Sequence, residues 1–121
     1  MYKIKNNIIK LRKKMVNTKL NADLTSTKEV IEFEKITKEC VELYAKKNAD
    51  YGNSFDQGID ALGIGHGVSR LYDKMSRLIQ LYKNNEHAHV EDETLDDTLR
   101  DLACYAIMMM SYRRRNPEKI K

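Results

Sequence analysis

VSRLYDKMSRLIQLY, residues 68–82, carries apolar side chains at Val68, Leu71, Met75, Leu78, Ile79 and Tyr82. Steps of three and four put these on one side of an α-helix, whereas a half-buried strand would alternate them. The stripe predicts an amphipathic helix from Val68 that fades at Asn84 and Asn85. Toward the N-terminus, residues 51–67, YGNSFDQGIDALGIGHG, hold all five glycines and read as a long functional loop. Before that loop, Val30, Phe33, Ile36, Cys40, Leu43 and Tyr44 recur at helical spacing. Ser26 and Glu29 match a capping box, so this helix is expected to start at Ser26 and run to about Ala49. Toward the C-terminus, residues 86–91 read as a turn, and Leu95, Leu99, Leu102, Ala106 and Met109 predict a third helix from about Asp92 to about Tyr112. No segment alternates as a sheet requires. The expected class is all-α: three core helices and an N-terminal arm in a small bundle.

The arm carries Ile4, Ile8, Ile9, Leu11, Met15 and Val16 among Lys5, Lys10, Arg12, Lys13 and Lys14, a basic amphipathic pattern suited to docking on a helix or subunit. Asn17 to Thr25 reads as a polar linker, which makes 1–25 arm and linker, 26–112 the helical domain and 113–121 a basic C-terminal tail.

With 121 residues the chain is too short to bury a deep core alone, so the bundle is expected to be completed as a homodimer or homotetramer. Its 41% hydrophobic and 33% charged residues suit a folded helical protein rather than a disordered one. No apolar run approaches the roughly 20 residues of a membrane span, and no secretory signal is present, so a cytoplasmic location and no membrane partner are expected. Cys40 and Cys104 have no CxxC spacing and read as buried thiols; His66, His87 and His89 lack ligand spacing, read as surface residues and argue against zinc. The net charge of +4 collects at the two ends, Lys3 to Lys19 and Arg113 to Lys121, while the middle is acidic. Nucleic-acid binding is therefore not the expected main role.

The acidic residues are patterned. Glu39 and Glu42, three apart, share one helical turn, and Glu93, Asp97 and Asp101, four apart, line one narrow stripe of the third helix. Stacked like charges cost helix stability unless cations compensate, and Mg²⁺, or Mn²⁺, suits several carboxylate oxygens together with phosphate oxygens and retained waters. The alternative is that these residues solvate two outer helix faces. Glu91, Asp92 and Asp96 read as first-turn acids favoured by the helix dipole.

The ExxE pair, the later carboxylate helix and the phrase DLACYA at 101–106 resemble the MazG-like all-α nucleoside triphosphate pyrophosphatase superfamily. YGNSF at 51–55, YDKMSRL at 72–78 and VEDETLDDTLRDLACYA at 90–106 are similar to its phage-associated branch, the nucleotide modification associated domain family. The resemblance covers about two-thirds of the chain, Asp50 to Ile107 its closer part. It implies a MazG-like bundle, 26–112 as its nucleotide-binding domain, and cleavage between the α- and β-phosphates of a deoxynucleoside triphosphate. The implied Mg²⁺ ligands are Glu39, Glu42 and Asp101, with Asp97 or Glu93 substituting in the second motif, because Thr98 stands where ExxD would have its acid. Glu39 or Glu42 would accept the proton of the attacking water. That departure also supports a second reading, a protein that captures a nucleotide or nucleotide-derived signal without cleaving it. If the chain is phage-encoded, the host cytoplasm is its expected place.

Lys74 and Arg77, three apart, with Arg70 one turn earlier, can face phosphates or form a solvated basic face; the DKxxRL resemblance favours Lys74 and Arg77 and leaves Arg70 undecided. Arg113 to Arg115 suit a helix C-terminus by charge alone. Tyr51 and Phe55 can stack on a base whose edge Asn53 reads, or can plug the end of the bundle; Tyr105 can line the same pocket or pack in the core.

Overall fold

A computed structural model of the chain describes residues 2–84 and 95–119. The described residues form five helices and no strand: α1 (Tyr2–Thr25), α2 (Lys28–Tyr51), α3 (Ser54–Leu62), α4 (Gly65–Lys83) and α5 (Leu95–Arg115). The chain divides into two compact units, Met1–Val41 and Glu42–Lys121, with α2 crossing the division. Among the described residues no helix is long and apolar enough to cross a membrane.

In the first unit the expected linker is helical: Asn17 to Thr25 continue α1, since nothing in that stretch breaks a helix. The capping residue is Thr27 rather than Ser26. Its hydroxyl accepts the Val30 N–H at 3.3 Å, while the Ser26 hydroxyl donates back to the Asp23 carbonyl at 2.9 Å. Threonine at this position satisfies one of the free donors of the α2 start.

In the second unit the glycine-rich stretch is not a loop. Left-handed backbone at Gly52 and Asn53 (φ 60° and 61°) ends α2, and the chain at once forms α3. Phe55 and Ile59, four apart, put two large apolar groups on one face of this short helix, and both are buried. Together with Tyr112 of α5 they form the core, against which Ile64, Tyr105, Met108 and Met109 pack. Burial on that face stabilises a nine-residue helix that its glycine content alone would not. At Gly67 the α4 backbone passes so close to α5 that a Cβ would overlap the Met109 sulfur. Cys40 is buried and Cys104 half-buried, and neither is part of a disulfide.

The basic C-terminal stretch has partners on α3. Arg115 Nη1 donates to the buried Asp56 carboxylate at 2.5 Å, and both the Tyr112 hydroxyl and Lys119 Nζ (3.0 Å) donate to Asp60. The Tyr112 hydroxyl, then Lys119, holds the Asp60 carboxyl below its ordinary value. In return, hydrogen bonding to Asp60 raises both the Tyr112 phenol and the Lys119 ammonium. A lowered acid stabilises the fold above its ordinary pKa and ceases to do so as pH falls through the lowered folded value. The raised phenol and ammonium stabilise below their ordinary values and cease to as pH rises through the raised ones. The melting-temperature gap between the wild type and Tyr112→Phe is therefore expected to be widest between roughly pH 5 and 9 and to narrow on both sides. A gap that failed to narrow on either side of that range would mean the hydroxyl contributes nothing through Asp60.

Candidate functional site

Four helices of the second unit surround an open cleft of about 430 Å³. The last turns of α2 supply Tyr44, Lys47 and Tyr51, the first turn of α3 supplies Phe55, and α4 and α5 form the facing walls. On α4 the lining residues are His66, Arg70 and Lys74, and on α5 they are Asp101, Cys104, Tyr105 and Met108. Spacings of three and four along each helix turn one face of each toward the cleft.

Its charges are unequal. Lys47, Arg70 and Lys74 face a single carboxylate among the described lining residues, Asp101. Lys74 Nζ lies 2.8 Å from Asp101 Oδ2, and Lys47 Nζ lies 3.9 Å from Oδ1. Among the described lining residues cations outnumber acids, a balance that favours anions. Beside this charged part lies an aromatic surface. The Phe55 ring sits 5.9 Å from Tyr105 and 6.1 Å from His66, tilted by 35° and 51°. His66 rests on Gly58, where a Cβ would overlap its ring, so only glycine there leaves the imidazole in this position. Tyr51, largely exposed, stands at the rim.

Of the residues singled out from the sequence, Lys74, Asp101, Tyr51, Phe55 and Tyr105 meet at this cleft. Others lie elsewhere. Asn53 donates to Asp56 at 3.4 Å and is not in the lining. Arg77 is half-buried on α4, outside the lining. Asp97 is exposed on α5 beside Arg100, 3.4 Å away, and Thr98 is buried. Glu42 is exposed on α2 and is not in the lining; Glu39 is exposed on the part of α2 that belongs to the first unit. Glu93 lies outside the described residues, as do Glu91, Asp92, His87 and His89.

Among the described residues no three His, Cys, Asp or Glu side chains are grouped so as to hold a metal ion. Mg²⁺ calls for clustered carboxylate oxygens, and among the described lining residues the carboxylate is that of Asp101, flanked by two ammonium groups.

Sequence reasoning missed Lys47 and His66 and left Arg70 open. With α4 starting at Gly65 instead of Val68, His66, Arg70 and Lys74 fall four apart on one face, a signal the loop reading concealed. Lys47 had no such local signal, because its partner Asp101 lies on another helix.

Residues 47–111 match the family described as nucleotide modification associated domain 1, a match over more than half of the chain. The chain belongs to this family. All the lining residues of the cleft except Leu43 and Tyr44 fall within the matched residues, so the cleft is chiefly a feature of the family's own region. Glu39 and Glu42 precede it. No curated protein and no solved structure matches the chain.

Proposed function

We propose that the cleft binds a nucleotide, with the phosphates against Lys47, Arg70 and Lys74 and the base on the Phe55, Tyr105 and His66 rings. The observation that carries this reading is the meeting of three cations and an aromatic surface in one cleft. Phosphate demands charge-assisted donors and a base demands a flat apolar face, and this cleft offers both side by side. Its volume lies within the roughly 300–1,000 Å³ of small-ligand sites. The family's association with nucleotide modification supports the same ligand class.

Capture is the reading the described geometry favours, because Asp101 is occupied by lysines rather than joined by other carboxylates. Cleavage between the α- and β-phosphates is the second reading. It is supported by the resemblance to the MazG-like superfamily, by the ExxE pair Glu39 and Glu42, and by a carboxylate, Asp101, in the cleft wall. Under that reading Mg²⁺ or Mn²⁺ would have to be held by acids brought to Asp101 from outside the described cleft.

The experiment is a calorimetric screen of ribo- and deoxynucleoside mono-, di- and triphosphates, with pyrophosphate release followed in parallel. Asp101→Asn separates the two readings. If the cleft captures a nucleotide, losing the carboxylate that competes for Lys74 and repels phosphate is expected to tighten binding about fivefold, one charge about 4 Å away at the screening of bulk water being worth about 1 kcal/mol. If the cleft cleaves, the same change is expected to end pyrophosphate release. Absence of binding by every nucleotide would remove the proposal altogether.

A further inference from the structure

Every described apolar side chain of α1 is exposed, from 46% at Ile8 to 81% at Tyr2. A 24-residue helix ordinarily draws its stability from burying one face, and among the described apolar side chains of α1 none is buried. Its apolar residues are not scattered. Ile4, Ile8, Leu11 and Met15 follow the alternating steps of four and three of a helix-pairing seam. Ile9 and Val16, seven apart, lie about 120° round the helix from that seam, with Lys5 and Arg12 between the two. A bilayer covers one continuous apolar side of a helix lying on it, and a nucleic acid covers charge rather than isoleucine; two apolar stripes with a basic stripe between them suit neighbouring helices.

Charge narrows the choice of partner. α1 carries seven lysines and arginines against one acid, Asp23, which disfavours pairing with another α1. The first turns of α2 are complementary on one face. Glu29 and Glu32 lie beside Phe33 and Ile36 there, while Lys28, Lys35 and Lys38 fall on the other side; Glu29, Glu32, Glu34, Ile31, Phe33 and Ile36 are all exposed, Phe33 to 71%. Phe33 and Ile36 begin a seam of matching period that continues to Cys40 and Leu43. Among the described residues the apolar side chains of both surfaces are exposed. We infer that α1 of one copy docks on the first turns of α2 of a second copy, Ile4, Ile8, Leu11 and Met15 against Phe33 and Ile36, with the flanking lysines and arginine facing the glutamates.

The pairing is reciprocal in a two-fold dimer, and this makes it testable by charge exchange. One full-length variant carries Lys10→Glu, Arg12→Glu and Lys14→Glu; the other carries Glu29→Lys, Glu32→Lys and Glu34→Lys. At the exchanged positions each then presents like charges on its own α1 and α2, whereas each complements the other. By light scattering the wild type is expected to be a dimer, each variant alone a monomer at the same concentration, and an equal mixture a dimer again containing both chains. A monomeric wild type overturns the inference, as does dimerisation of either variant alone. So does a mixture that stays monomeric, which covers the case in which the variants fail to fold. Wild-type monomers that sediment with phosphatidylserine vesicles or shift on duplex DNA would reassign α1 to a different partner and equally overturn it.

Discussion

Phe55→Ala is expected to destabilise the second unit by about 3–5 kcal/mol, the range for deleting a buried phenyl ring and leaving its cavity. Phe55 is buried and, with Ile59 and Tyr112, forms the core that joins α3 to α5. Its ring also lies against His66 and Tyr105, so the cavity would open beneath the cleft rather than close by small shifts. Against a total stability of about 5–15 kcal/mol for a small domain, a loss of this size is a large fraction of the whole. Urea unfolding followed by circular dichroism measures it. A loss under about 1 kcal/mol would mean that the core is not organised around this ring. Nucleotide binding is expected to fall as well, because the same side chain closes the core and lines the cleft.

Lys74→Glu is expected to weaken nucleotide binding at least a hundredfold. The lysine contributes a charge-assisted contact worth about 1.5–3 kcal/mol, and the glutamate replaces it with a second carboxylate beside Asp101. The cleft then holds two cations and two acids in place of three and one, which removes its preference for anions. Lys74 is partly exposed, so the fold is expected to tolerate the change. Unchanged melting with lost binding, by calorimetry with the best ligand of the screen, is the expected pattern. Retained binding would move the phosphates away from α4. Arg77→Glu serves as the comparison, since Arg77 lies on the same helix outside the lining.

How legible the site was depended on whether its signal lay within one helix. Lys74, on α4, and Asp101 and Tyr105, on α5, were readable because each belongs to a periodic stretch whose helix the sequence already declares. His66 was not, since five glycines between Gly52 and Gly67 made that region read as loop. The i, i+4 pair Phe55 and Ile59 was the available sign of α3, and it gains its meaning only from the core residue Tyr112, far along the chain. The basic C-terminus looked like a helix end favoured by its dipole, whereas Arg115 and Lys119 have acids of α3 as their partners.

The order of apolar and charged residues determined by itself that this chain is helical, roughly where the long helices run, and that its ends are basic. Those properties follow from a 3.6-residue period, which neighbours along the chain set among themselves. Only the tertiary structure decided that the Gly-rich stretch is a helix, that Lys47 and Lys74 share Asp101, and that Lys47, Arg70 and Lys74 line one cleft with it. Spacing within one helix says which side chains share a face. Which faces of different helices meet depends on how their apolar surfaces are buried together, and that is settled by packing across the whole unit.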